Sequence, residues 1–145
     1  MMTEKNYTKY ESYRFAFDQI DRAIKDGYFL EAITIEESIL ADRLISFLQL
    51  KGISANERFT LGKCLIAVKN LDGDFSYKEY ADFRGNLKSW WDQRNACVHS
   101  IVKSKRGDPT IQVGKFLELA EETAIQGKTL SRKVSDWLKR EKRIL

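Results

Sequence analysis

A chain of 145 residues, 43% of them apolar, with one proline and two cysteines, has the size and composition of a single globular domain spanning residues 1–145. At this length folding buries roughly two-thirds of the surface that the unfolded chain exposes, so no metal or disulfide staple is needed. Charged residues make up 32% and give a formal charge of +4, and no apolar run approaches the roughly 18 residues of a membrane-spanning helix, which excludes a membrane protein.

The start of the chain, Met1-Met2-Thr3-Glu4-Lys5, lacks the apolar stretch of a secretory signal, and a cytoplasmic protein is expected. Thr8 followed by Glu11 has the spacing of a capping box, and Tyr10, Tyr13, Phe17, Ile20 and Ile24 then recur at helical steps up to Gly27. A second helix runs through Phe29, Ile33, Leu40, Leu44, Phe47 and Leu48 and stops at Gly52, where glycine accepts a left-handed conformation. Ser54 and Glu57 repeat the capping-box spacing ahead of a third helix carrying Phe59, Leu61, Leu65, Ile66 and Val68, which closes near Asn70. A turn at Asp72-Gly73-Asp74 follows, then a short helical piece capped by Ser76 and Glu79, a break at Gly85, and a fourth helix over Leu87 to Val102. Asp108 and Pro109 suit the cap and first position of a last, basic helix over about 109–143, with Gly114 and Gly127 weakening its continuity. No segment alternates with a period of two. The expected fold is an all-α antiparallel bundle of four to five helices.

Charge is unevenly placed along these elements. Residues 128–145 hold seven basic and two acidic side chains, which leaves the remainder near neutral. Lys139 and Arg140 in that helix, and the knot of Lys103, Lys105 and Arg106 before the Gly107-Asp108-Pro109 turn, are candidate contacts for an RNA backbone. Cys64 and Cys97 sit in amphipathic patterns without Cys-x-x-Cys or histidine-rich spacing, so both read as reduced core thiols, and neither a metal nor a cofactor is expected.

Two polar intrusions interrupt the apolar stripes. On the fourth helix Leu87, Trp90, Trp91, Cys97, Val98, Ile101 and Val102 share an arc with Arg94 near its middle. An arginine placed there needs a partner or a functional cavity, because an unpaired buried charge costs several kcal/mol. Asn95 and His99, four residues apart, lie at the edge of the same arc and are candidates to converge on it. On the second helix Glu36 and Arg43 fall within the apolar arc and Glu37 borders it, so Glu36, or failing that Glu37, is expected to orient Arg94. Adjacent Trp90 and Trp91 cannot both face their own core without one reaching a neighbouring element or a subunit contact.

The segment Arg94-Asn95-Ala96-Cys97-Val98-His99, inside an all-α chain of this size, resembles the Arg-x4-His signature of the HEPN superfamily. In that family the motif sits on the fourth helix, a polar residue often follows the arginine, and homodimerisation joins two motifs in one cleft. The resemblance implies a metal-independent endoribonuclease, a toxin or a phage-defence or stress effector, with Arg94, Asn95 and His99 as catalytic residues. RNA and a second copy of the chain are the implied partners, and an antitoxin or nucleotidyltransferase chain is a further class. The alternative within the family is a non-catalytic interaction protein that partners a nucleotidyltransferase or another regulatory chain. HEPN toxins silenced by a nucleotidyltransferase commonly carry tyrosine two positions after the histidine. Ile101 stands there, so the resemblance does not carry that route of silencing over.

The residue types suit the chemistry. Internal transesterification of RNA takes a proton from a 2′-hydroxyl, gives one to the leaving oxygen and stabilises an overcharged phosphorane. Imidazole moves protons near neutral pH, and the planar guanidinium binds two phosphate oxygens at once. The sequence does not assign base and acid between two copies of His99.

Overall fold

The protein is described by a computed structural model that covers residues 4–71, 77–100 and 112–144. Among these residues there are five helices and no strand: α1 (Glu4–Asp26), α2 (Phe29–Leu50), α3 (Leu61–Lys69), α4 (Tyr77–Ser100) and α5 (Val113–Ile144). Gly27 and Gly52, at φ +83° and +77°, end α1 and α2 in the same way. At each, the next residue's N–H reaches back five positions, Tyr28 to the Ala23 carbonyl at 2.8 Å and Ile53 to the Leu48 carbonyl at 2.9 Å. These are Schellman closures, which a side chain at a left-handed position would strain.

The third helix starts later than its sequence suggests. Ser54 and Glu57 do not cap it. The Asn56 side chain accepts a hydrogen bond from the Arg58 N–H at 2.9 Å, and the Ala55 carbonyl is held by Gln49 Nε2 at 2.9 Å, so this stretch is committed to a turn. Thr60 is the cap instead, accepting from the Lys63 N–H at 3.1 Å. Conversely, α4 runs unbroken through Gly85, and α5 through Gly114 and Gly127. An exposed glycine inside a helix costs only about 0.5–1 kcal/mol, less than the anchoring of α4 by Leu87 and Trp90 returns. The predicted turn at Asp72–Asp74, and Ser76, Ile101, Val102, Asp108 and Pro109, lie outside the described residues.

Successive long helices alternate in direction. The most extensive packing is nevertheless between α2 and α5, which run parallel: Glu36 lies against Gly127, and eleven residues on Phe47 meets Trp137 with ring centroids 4.5 Å apart. Small residues on α5, Ala120, Ala124 and Gly127, let the two axes approach. α1 covers this pair on one side, with Lys128 paired to Asp21 and Arg132 stacked 4.5 Å over Phe17. α4 packs chiefly on α5, and α3 fills the angle between α2 and α4. α1 and α4 do not meet among the described residues. Val98 and Tyr10, expected on buried arcs, are 39% and 52% exposed, since each lies near an end of its helix where no neighbour covers it. No described helix is long and apolar enough to cross a membrane.

Candidate active site

The segment of α4 that carries the motif is held from beneath. Leu87, Trp90 and Cys97 are buried, and the Trp90 indole N–H donates to the Thr123 carbonyl of α5 at 2.9 Å. The Thr123 hydroxyl donates to the Leu119 carbonyl of its own helix at 2.7 Å, accepts from the Cys97 thiol at 3.5 Å and lies 3.2 Å from Gln93 Oε1, so one residue of α5 contacts two turns of α4. The neighbouring Trp91 turns the other way, onto α3 of the same chain. There Gly62 leaves the room: a methyl group at Gly62 would lie 2.9 Å from Trp91 Cζ2. Trp90 is thus buried against α5, and Trp91 is half-buried against α3.

On that platform sits Arg94. Its Nε donates to Glu37 Oε2 at 2.9 Å, Nη2 lies 2.9 Å from the same oxygen, and Nη1 donates to Asn95 Oδ1 at 2.9 Å. The guanidinium carbon is 5.2 Å from the centroid of the Trp91 ring, within cation–π range. The two charged side chains are 21% and 20% exposed, so the pair is screened less than a surface ion pair and holds a fixed geometry. The second N–H groups of Nη1 and Nη2 are what such a clamp can offer to an anion.

The partner is Glu37 and not Glu36. Adjacent helical positions point about 100° apart, and here Glu37 faces α4 while Glu36 faces α5. Glu36 is fully buried against Gly127, and neither of its oxygens has a hydrogen-bond partner. Burial pushes its carboxyl up to about 9, opposed only in part by Lys128, so at neutral pH it is an uncharged acid. Its role is in the core.

Arg43, the other intrusion in α2, belongs to a second cluster on the α1 side. Asp42 Oδ2 accepts from its Nη2 at 2.6 Å and from the Tyr13 hydroxyl, and the guanidinium lies 4.5 Å over the Tyr13 ring. Burial alone would raise the Asp42 carboxyl, but hydrogen bonds from Tyr13 and Arg43 outweigh it and hold the group below its ordinary range.

His99 does not join Arg94. Five residues along a helix is a rotation of about 140°, and the imidazole is exposed on the outer side of α4. The structure brings together Arg94, Asn95, Glu37 and Trp91, with His99 one turn beyond Asn95. Lys139 and Arg140 are exposed on α5, but α4 and α5 are antiparallel. Lys139 lies sixteen residues beyond Thr123, about 24 Å of helix rise from the level of the motif. Lys103, Lys105 and Arg106 lie outside the described residues. Among the described residues no group of acidic, histidine and cysteine side chains is arranged to hold a metal. Sequence reasoning missed Trp91 as the support of the arginine. The signal was present as the pair Gly62 and Trp91, but joining them requires knowing that α3 packs on α4.

No family model, curated protein or solved structure matches the chain.

Proposed function

We propose that this protein is a metal-independent endoribonuclease of HEPN type, a cytoplasmic toxin or a phage-defence or stress effector, acting as a homodimer. The observation that carries the reading is the clamp on Arg94. A guanidinium fixed by Glu37, Asn95 and Trp91, on the same helix as an exposed His99 that does not contact it, is an arrangement that simple core packing does not require. Arg94 and Glu37 keep about a fifth of their side-chain surface exposed and His99 is exposed, which is compatible with a second copy meeting this face. In the reaction the 2′-oxygen of RNA attacks phosphorus, its proton passes to one His99, and the bond to the 5′-oxygen breaks as the symmetry-related His99 supplies a proton. Arg94 stabilises the charge on the non-bridging oxygens, and Asn95 keeps the guanidinium in plane.

The test is incubation of RNA with excess chelator and wild-type, His99→Ala or Arg94→Ala protein, each shown to be folded and of the same oligomeric state. Chelator-resistant cleavage abolished by both substitutions is the expected result. Cleavage that survives His99→Ala refutes the site.

One observation favours a second reading, a non-catalytic HEPN partner of a nucleotidyltransferase or other regulatory chain. Arg94 is already charge-compensated by Glu37, and His99 points away from it within the subunit. Intact RNA across single-stranded, structured and transfer RNA substrates would select that reading.

A further inference from the structure

The cations of α5 are not arranged around the Arg94 site. Thr123, level with the motif, is flanked in the first part of α5 by exposed Glu118, Glu121 and Glu122. From Lys128 onward the balance reverses, and the reversal follows one seam, that between α1 and α5. Lys128 pairs there with Asp21, Arg132 stacks over Phe17 at 4.5 Å, and Lys142 lies within electrostatic reach of Lys9 and Arg43. Lys139 stands between Arg132 and Lys142 in height and in angle, about 20° from the first and about 60° from the second around the helix, so the three share one side of α5.

The carboxylates that touch these cations are already spent. Asp21 is taken by Lys128, and Asp42 is shared by Arg43 and Lys9, the latter at 3.2 Å. Along the row stand about four positive charges, Arg132, Lys139, Lys142 and one from the Lys9–Arg43–Asp42 trio, with Asp136 as the exposed acidic residue of α5 among them. Burial and then the nearby cations Arg43 and Lys9 depress the Lys142 ammonium, and Asp42, already shared by those two cations, only partly offsets them. The row from Lys128 to Lys142 is fourteen residues, about 21 Å, and straight. It lies on the α1 side of the α2–α5 pair, whereas Arg94 lies on the α4 side.

We infer that the α1–α5 seam is a docking rail for the phosphate backbone of a nucleic-acid helix, a surface separate from the Arg94 site. A straight row of this length spans the rise of about six base pairs of a duplex, at roughly 3.4 Å each. Its members are lysine and arginine without convergent base-reading groups, so recognition is of phosphate and is independent of sequence. The inference does not rest on the nuclease reading.

Binding of labelled 12-base-pair RNA and DNA duplexes is measured by fluorescence anisotropy on full-length His99→Ala protein with chelator present, so that cleavage plays no part. The expected result is a log–log salt dependence of slope about −3 to −4 on DNA. Arg132→Gln, Lys139→Gln and Lys142→Gln, all exposed positions, should each weaken binding several-fold and flatten the slope by about one. Lys115→Gln and Lys133→Gln, which lie off the seam, should change neither. Equal affinity for both duplexes marks the shared phosphate chemistry, and a tighter RNA arm assigns the rail to RNA. The inference is overturned if neither duplex binds, if the triple seam variant keeps the wild-type slope, or if vesicles containing phosphatidylserine bind and duplexes do not. Duplex binding without any chelator-resistant cleavage by the wild type would leave the rail standing and remove the nuclease.

Discussion

Replacing Glu36 by methionine, which is similar in length and unbranched, should make the fold more stable and remove a pH dependence. In the folded protein the carboxyl is pushed up to about 9 from an ordinary 4.5, chiefly by burial. An acid whose folded value is raised is neutral in both states below about pH 4.5. Above that the unfolded chain ionises and gains solvation while the folded chain keeps its proton, so stability falls with rising pH until about 9. The slope is about 1.4 kcal/mol per pH unit, or about 2.7 kcal/mol between pH 6 and pH 8. Urea denaturation of wild type and Glu36→Met at those two pH values isolates this contribution, because every other titrating group is common to both proteins. The variant should be the more stable at both, and its advantage should widen by about 2–3 kcal/mol at the higher pH. A gap that stays constant would mean that Glu36 is ionised or hydrated in the fold, and the account of its burial would fail.

Further expectations concern its neighbours and the clamp. Gly127→Ala places a methyl group on the Glu36 carboxyl and the Trp90 indole, so a loss of about 1–3 kcal/mol is expected. Much of it should be recovered in a Glu36→Ala background, read as a coupling energy in a double-mutant cycle. Glu37→Gln removes the carboxylate from a pair that is about one-fifth exposed. The cost should be about 1 kcal/mol or less by chemical denaturation, with the Trp91 fluorescence environment altered. Burial raises both thiols, Cys64 to about 11, so neither should react with an aromatic disulfide reagent at pH 7 until the protein unfolds, and rapid labelling of the native state would contradict their placement.

The helices were legible where periodicity and glycine agreed. Gly27 and Gly52 end α1 and α2 because each occupies a positive φ, and the apolar rows between them form the core. The start of α3 was not, since Ser54-x-x-Glu57 and Thr60 both satisfy local capping rules. The choice between them was made by Asn56 and Ala55 in a turn that only the packed chain stabilises. Glycine misled within α4 and α5 for the opposite reason. Gly85 is tolerated because Leu87 and Trp90 anchor the helix just after it, and Gly127 is where two helices touch.

The same limit governs the polar residues. A helical wheel identifies Glu36, Arg43 and Arg94 as intrusions but not their partners, because each partner lies on another element with its own rotation. Glu36 and Arg94 look complementary in sequence, yet one faces α5 and the other α4, and Glu37 takes the arginine. Arg43 is answered by its neighbour Asp42 and by Tyr13 of α1. The three intrusions thus have different physical outcomes: a neutralised acid in the core, an ion pair that pins α1, and a fixed guanidinium at the edge of the surface. Of these, the last is a charged group with more of its side chain open to solvent, 21% against 10% for Arg43. On the proposed reading the chemistry belongs to the Arg94 side of the bundle and the cation row to the α1–α5 seam on the other.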